Sequence, residues 1–254
     1  MAKKNVKPNS TSYYEDLTQT SFRAKESYKM LRTNIRFLTV GEKHPRLVFT
    51  SSVSGEGKST TIINVAVSMR EAGYRVLLID CDLRCPVLHK MANLPIMPGL
   101  TNLLCGSATT ADIIRPSRYS GLDIVTSGAI PPNPAELLGS KAMADFLTEV
   151  EEKYDYILFD TPPATVVSDC LVLSSLVTGY LFVVKENSTE VPDFQKAIDS
   201  IELVGGKILG IVLNDVKTTA TRKRRRKGYY NYRYNNYYRS YERTHQGASN
   251  ESAE

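Results

Sequence analysis

No apolar run in this 254-residue chain approaches 18 residues, so no membrane-spanning helix is expected. The opening stretch MAKKNVKPNSTSYYED holds no apolar segment of the kind that directs secretion, and no signal peptide is expected. The four cysteines (Cys81, Cys85, Cys105 and Cys170) form no C-x-x-C pair, which points to reduced thiols in a cytosolic setting rather than to disulfides. His44, His89 and His245 stand apart from one another, so neither a Ser-His-Asp set nor a metal-ligating cluster is discernible. No internal repeat is visible.

Hydrophobic residues make up 42% of the chain, enough to bury a core over most of its length. The charge is unevenly placed. The net charge is +5, yet residues 218–254 carry nine Lys or Arg against three Asp or Glu, which leaves residues 1–217 at −1. A basic run, Arg222 to Lys227, is followed by seven tyrosines: Tyr229, Tyr230, Tyr232, Tyr234, Tyr237, Tyr238 and Tyr241. From Thr221 to Gln246 there is no Leu, Ile, Val or Phe. Without aliphatic residues or a period of 2 or 3.6, this stretch is expected to be a disordered tail. A basic tail suits nucleic acid, an anionic membrane surface, or a phosphate site on its own protein.

Between the ends, apolar strands alternate with amphipathic helices. The stretch 21–38 places Phe22, Tyr28, Leu31, Ile35 and Leu38 at spacings of three, four and six, consistent with an amphipathic helix whose other face is charged. RLVFTSS, YRVLLID, LDIVTSG, YDYILFD, YLFVVKEN and KILGIVLN are strand-like, and the fully apolar YRVLLID suits a strand buried on both faces. Helices are expected over KSTTIINVAVSMREAG (with Gly73 as its stop), PVLHKMAN, GLTNLLCG, TADIIRP, AELLGSKAMADFLTEVEEK, SDCLVLSSLVTG and VPDFQKAIDSIELVG. The alternation predicts an α/β domain with a mainly parallel sheet and helices on both faces. Residues 1–19 form a loose polar segment, 20–217 the folded domain and 218–254 the tail.

FTSSVSGEGKSTT falls between a predicted strand and a predicted helix, the setting a P-loop requires. Ser54, Gly55, Glu56, Gly57, Lys58, Ser59 and Thr60 would wrap phosphates with backbone N–H groups, aided by the helix N-terminus. Lys58 would reach the β- and γ-phosphates, and the Ser59 hydroxyl would bind Mg²⁺. The usual first glycine is replaced by Ser52. Asp80 and Asp82 close one buried strand and Asp160 another. In a parallel sheet these ends share the edge where ligands bind. ATP with Mg²⁺ is therefore the expected ligand, with Lys58, Asp80, Asp82 and Asp160 as candidate catalytic groups and Ser59, Asp80 and Asp160 as candidate metal ligands.

These motifs together resemble the bacterial tyrosine kinases of capsular and exopolysaccharide assembly, which are built on P-loop ATPase architecture. SVSGEGKSTT resembles their Walker A, LLIDCDLRCP with Arg84 their Walker A′, and ILFDTPP their Walker B. TSGAIPPNPAELLGS resembles a further signature, and GIVLN the strand whose Asn214 would contact adenine. The resemblance implies that the exposed tyrosines are autophosphorylation substrates and that the activity controls polysaccharide synthesis and export. In that reaction Asp82, with Asp80 as the alternative, would orient or deprotonate the acceptor hydroxyl. Glu26, Lys29 and Arg32 match a family E-x-x-R-x-x-R oligomerisation motif, with Lys29 in place of the middle arginine. The resemblance thereby implies a ring homo-oligomer, an octamer in the family. It further implies a membrane-anchored activator or polysaccharide co-polymerase, a cognate tyrosine phosphatase, and a cytoplasmic location at the inner face of the membrane.

Two other readings compete. A partition- or division-site-type ATPase would carry a second lysine early in the loop, where Ser51-Ser52-Val53-Ser54 stands instead. A nucleic-acid-binding protein would use the basic run with tyrosine stacking, but the body has no basic excess, and no nucleic acid is expected.

Overall fold

The computed structural model describes residues 21–119 and 121–216. The expectations for the N-terminal segment and for the basic tyrosine tail, with all seven of its candidate phosphorylation sites, lie outside those residues. A first helix, α1 (Phe22–Leu38), starts where the Ser21 hydroxyl accepts the Ala24 N–H at 3.3 Å. Strand β1 (Arg46–Ser51) leads through the glycine-bearing loop into α2 (Lys58–Glu71), and β2 (Val76–Asp80) follows. Short helices α3 (Leu88–Ala92), α4 (Leu100–Leu104) and α5 (Thr110–Ile113) precede β3 (Ile114–Pro116) and β4 (Leu122–Val125). Helices α6 (Pro134–Leu138) and α7 (Lys141–Val150) lead to β5 (Tyr156–Asp160), and β6 (Gly179–Lys185), α8 (Val191–Leu203) and β7 (Ile208–Asn214) complete the domain.

The seven strands form one sheet in the order β3-β4-β2-β5-β1-β6-β7, with only β3 antiparallel. Alternate residues of the central strands serve opposite faces. Leu47, Phe49 and Leu78 pack with Ile62, Val65 and Met69 of α2 and with Ile35 of α1. Val48, Leu77, Ile79 and Phe159 pack with Leu100, Leu138, Phe146 and Ala197 from α4, α6, α7 and α8. The sheet is thus covered on both sides, which is why its inner strands read as unbroken apolar runs. Among the described residues no helix is long and apolar enough to cross a membrane.

Three helical expectations are corrected. TADIIRP is helical only to Ile113; Ile114–Pro116 pairs antiparallel with Asp123–Val125. Pro116 biases Arg115 towards extended backbone, which ends the helix. The predicted AELLGSKAMADFLTEVEEK helix breaks at Gly139, Ser140 caps α7 by accepting the Met143 N–H at 3.3 Å, and Glu151–Lys153 is a 3-10 turn. SDCLVLSSLVTG yields only a 3-10 helix, Leu171–Leu176, where Ser174 and Ser175 offer the backbone competing hydrogen bonds. Of the apolar positions expected to make α1 amphipathic, Phe22 and Leu38 are exposed at its ends, and Ile35 is its one fully buried residue.

Candidate active site

The parallel register sets the geometry. Asp80 ends β2 directly opposite Asp160 at the end of β5, and Asp160 also lies in register with Phe49 of β1. Residues paired across adjacent strands project to the same face, about 5 Å apart. The two carboxylates therefore converge beside the loop that leaves β1. Both are buried, at 0% and 1% exposure.

Their surroundings differ. Asp80 is held by backbone donors: Asp82 N–H to Oδ1 at 3.2 Å and Leu88 N–H to Oδ2 at 3.2 Å. Desolvation, with Asp160 and Asp82 nearby, still raises its pKa well above the usual range. Asp160 is pushed up to about 6, first by desolvation, against the Lys58 ammonium and Ser59 hydroxyl that favour its charged form. Neither Asp160 oxygen completes a hydrogen bond of normal geometry with any described residue. A buried carboxylate without donors is costly, and it suits a cation. No group of three or more His, Cys, Asp or Glu among the described residues is arranged to hold a metal by itself. The unpartnered Asp160 oxygens would suit Mg²⁺, which takes one or two carboxylates and shares its remaining shell with water and substrate phosphates.

The loop itself curls through left-handed glycines, Gly55 at φ 82° and Gly57 at φ 89°. Gly57 caps α2, so the first N–H groups of α2 have no partner inside the helix. Lys58 is buried at its start, while Ser54, Gly55 and Thr60 are exposed and Ser59 is half-buried. The base of the loop is laced to the segment after β5. The Ala164 N–H donates to Ser51 at 2.9 Å, the Thr50 hydroxyl to the Pro162 carbonyl at 2.9 Å, and the Thr165 hydroxyl to the Ser52 carbonyl.

Several predicted site residues carry contacts that the sequence did not show. The Glu56 side chain turns back into the loop instead of outward. Asn214, at the end of β7, donates to the Glu56 carbonyl at 2.9 Å, and a Cβ on Gly57 would lie 2.0 Å from its Nδ2. Arg84 forms a two-pronged ion pair with buried Asp169, at 2.8 and 3.0 Å. Asp82 is half-buried, and its Oδ1 accepts the Cys85 N–H at 2.9 Å. Away from this edge, Glu26 and Lys29 pair with each other at 2.7 Å on α1, and Arg32 donates to the Ser68 carbonyl of α2 at 2.6 Å. The structure thus brings Lys58, Ser59, Asp80, Asp82 and Asp160 together, ties Arg84, Asn214 and Glu56 into the frame around them, and keeps Glu26, Lys29 and Arg32 on α1. Thr189, Asp169 and Thr165 escaped the sequence reading, although Thr189 follows a strand end on the same edge.

A glycine-bearing strand–helix loop with strand-end carboxylates on a parallel sheet defines a P-loop nucleotide-binding protein, and residues 47–189 match the AAA domain family. More narrowly, the chain belongs to the bacterial tyrosine-protein kinase family. It is 38% identical over 214 residues to tyrosine-protein kinase YwqD of Bacillus subtilis (strain 168), covering 84% of this chain and 89% of that one. Among solved structures it resembles the chimerical protein CapA2B2, at 37% identity and TM-score 0.72 over 75% of this chain and 84% of that one. It also resembles the kinase domain of the Escherichia coli tyrosine kinase ETK, at 29% identity and TM-score 0.74 over 81% and 79%.

Proposed function

We propose that this chain transfers the γ-phosphoryl group of ATP to tyrosine hydroxyls, among them Tyr229, Tyr230, Tyr232, Tyr234, Tyr237, Tyr238 and Tyr241 of its own C-terminal segment, and thereby regulates capsular or exopolysaccharide synthesis. The observation that carries this reading is the in-register pair Asp80 and Asp160, with the Asp160 oxygens unpartnered and Lys58 and Ser59 beside them. The names of the relatives supply the acceptor class.

The reaction needs positioning and charge stabilisation more than covalent chemistry. The Lys58 ammonium and the N–H groups from Ser54 to Thr60 hold the phosphates. Ser59 and Asp160 would hold Mg²⁺, with Asp80 behind them. When bound, the ion neutralises charge on the β- and γ-phosphate oxygens. Asp82 takes the acceptor role. It is half-buried and reachable, whereas both Asp80 oxygens are already engaged by backbone N–H groups and the residue is sealed from solvent. A tyrosine hydroxyl of pKa about 10 gains from a carboxylate that orients it and accepts its proton.

Nucleotide reaches the site with its base towards Asn214 and its γ-phosphate towards β2 and β5. Glu26, Lys29 and Arg32 belong to a contact between copies in a ring, of eight in the family, and a membrane-anchored partner activates the kinase at the inner membrane face. A tyrosine phosphatase reverses the modification.

The test is incubation of the purified chain with Mg-ATP, with and without a cytoplasmic activator fragment, followed by mass-spectrometric mapping of phosphotyrosine. Asp82→Asn should cut incorporation about 100-fold or more while nucleotide affinity stays near that of the parent. Equal incorporation by the variant would refute its role, and absence of any phosphotyrosine under all conditions would refute the activity.

A further inference from the structure

A carboxylate inside a phosphate-binding loop has the wrong charge for its surroundings. Glu56 stands one residue before Gly57 and two before Lys58, and it is only 1% exposed. Its contacts explain the placement. Oε2 accepts the backbone N–H of Ser52 at 2.8 Å and of Val53 at 3.0 Å. Oε1 accepts the Thr189 hydroxyl, and that hydroxyl accepts the Lys185 N–H at 2.9 Å. Asn214 holds the Glu56 carbonyl from the other side at 2.9 Å.

We propose that Glu56 is a positioning residue of the nucleotide site, that its side chain does not touch the nucleotide, and that Thr189 is the residue that holds it in place. The proposal rests on the reading of this loop as the phosphate site. Two loop amides, Ser52 and Val53, are turned inward onto the loop's own carboxylate. The curl of the next residues is thereby set before any nucleotide arrives, with Gly55 and Gly57 left-handed and the amides from Ser54 onward left for an anion. A site built in advance binds more tightly, because the ordering of the loop is not charged against ligand binding. Remove the carboxylate, and two inward-facing amides lose their charge-assisted acceptor. Remove the Thr189 hydroxyl, and a buried carboxylate oxygen loses its donor. Because Thr189 lies between β6 and α8, the loop curvature depends on a connection far away in sequence as well as on β1 and α2.

The test uses the full chain and three variants: Glu56→Ala, Glu56→Gln and Thr189→Val. Equilibrium titration with a fluorescent Mg-ATP analogue is combined with amide hydrogen exchange resolved to residues 52 and 53. Glu56→Ala should weaken nucleotide affinity about tenfold or more and speed exchange at both amides, while exchange in β2 and β5 stays at the parent rate. Glu56→Gln keeps one acceptor oxygen and should fall between. Thr189→Val should weaken affinity several-fold with the loop sequence intact, and it carries the test should Glu56→Ala not fold. Affinity within twofold of the parent in both Glu56→Ala and Thr189→Val would overturn the proposal, as would unchanged exchange at residues 52 and 53. A parent chain that binds no Mg-ATP would overturn the phosphate-site reading and the inference with it.

Discussion

Asp160 links the proposed cation site to local stability. Its ordinary pKa is 3.8, and the fold raises it to about 6. Between those values the folded chain binds the extra proton, so stability falls as pH rises through the window and the full cost is present above it. Asp160→Asn should therefore raise the melting temperature at pH 8 and change it little at pH 4. Mg-ATP should stabilise the parent at pH 8 but not the variant. Thermal melts at both pH values, with and without nucleotide, check each half; a variant less stable than the parent at pH 8 would contradict the assignment. The same residue was legible from sequence because it closes an apolar strand. Lys58, Ser59 and Asp80 were legible for similar reasons, since motif and strand end lie within a few residues of each other. Thr189 and Asp169 were not. Their partners Glu56 and Arg84 lie 133 and 85 positions away, and no local pattern encodes such a pairing.

Elements are held to one another by a few of these long-range contacts. The loop after β2 and the segment after β5 are joined by the Arg84–Asp169 fork, in which Asp169 is fully buried and Arg84 is 44% exposed. Arg84→Ala leaves a buried carboxylate unpaired and should cost about 2 kcal/mol, a figure reduced from that of a fully buried pair by the solvent around Arg84. Arg84→Lys cannot reproduce two prongs and should recover only part of it. Urea denaturation measures both. On the other face, Arg32 fastens α1 to α2 through the Ser68 carbonyl and hydroxyl. Arg32→Ala should cost about 1 to 2 kcal/mol, whereas Lys29→Ala, which loses only an exposed pair with Glu26, should stay within about 0.5 kcal/mol. Strands were the most legible elements, because both faces of each central strand are buried and periodicity has nothing to blur. Short helices were the least. In TADIIRP a proline three residues past the last helical position redirected the chain into an edge strand, and in AELLGSKAMADFLTEVEEK a Gly-Ser step restarted the helix.

Across the whole molecule, one sheet edge gathers the ends of β1, β2, β5, β6 and β7, and with them the nucleotide site. Every strand of that edge lies within residues 46–214. Deleting residues 217–254 should leave Mg-ATP affinity and melting temperature unchanged and abolish self-phosphorylation. Binding titration, thermal melts and phosphotyrosine mapping of the truncated chain test this, and loss of nucleotide binding would contradict it. Charge would give the proposed modification a physical output. Each phosphotyrosine adds about −1.5 to −2, so three or four cancel the +6 of residues 218–254. Heavily phosphorylated chains should sediment as smaller assemblies than phosphatase-treated ones.

Strand β7 has a further consequence. Asn214 braces the phosphate loop, and the backbone passes Val216 two residues later. The described residues therefore end close to the phosphate loop. Tyr229 lies 15 residues after Asn214, a tether of at most roughly 50 Å. In the phosphorylation proposed above, a tether of that length would hold the Tyr229 ring at high local concentration around its parent cleft. Transfer to an adjacent copy, as a ring of copies would require, would then have to outweigh that proximity by the angle at which the hydroxyl meets Asp82.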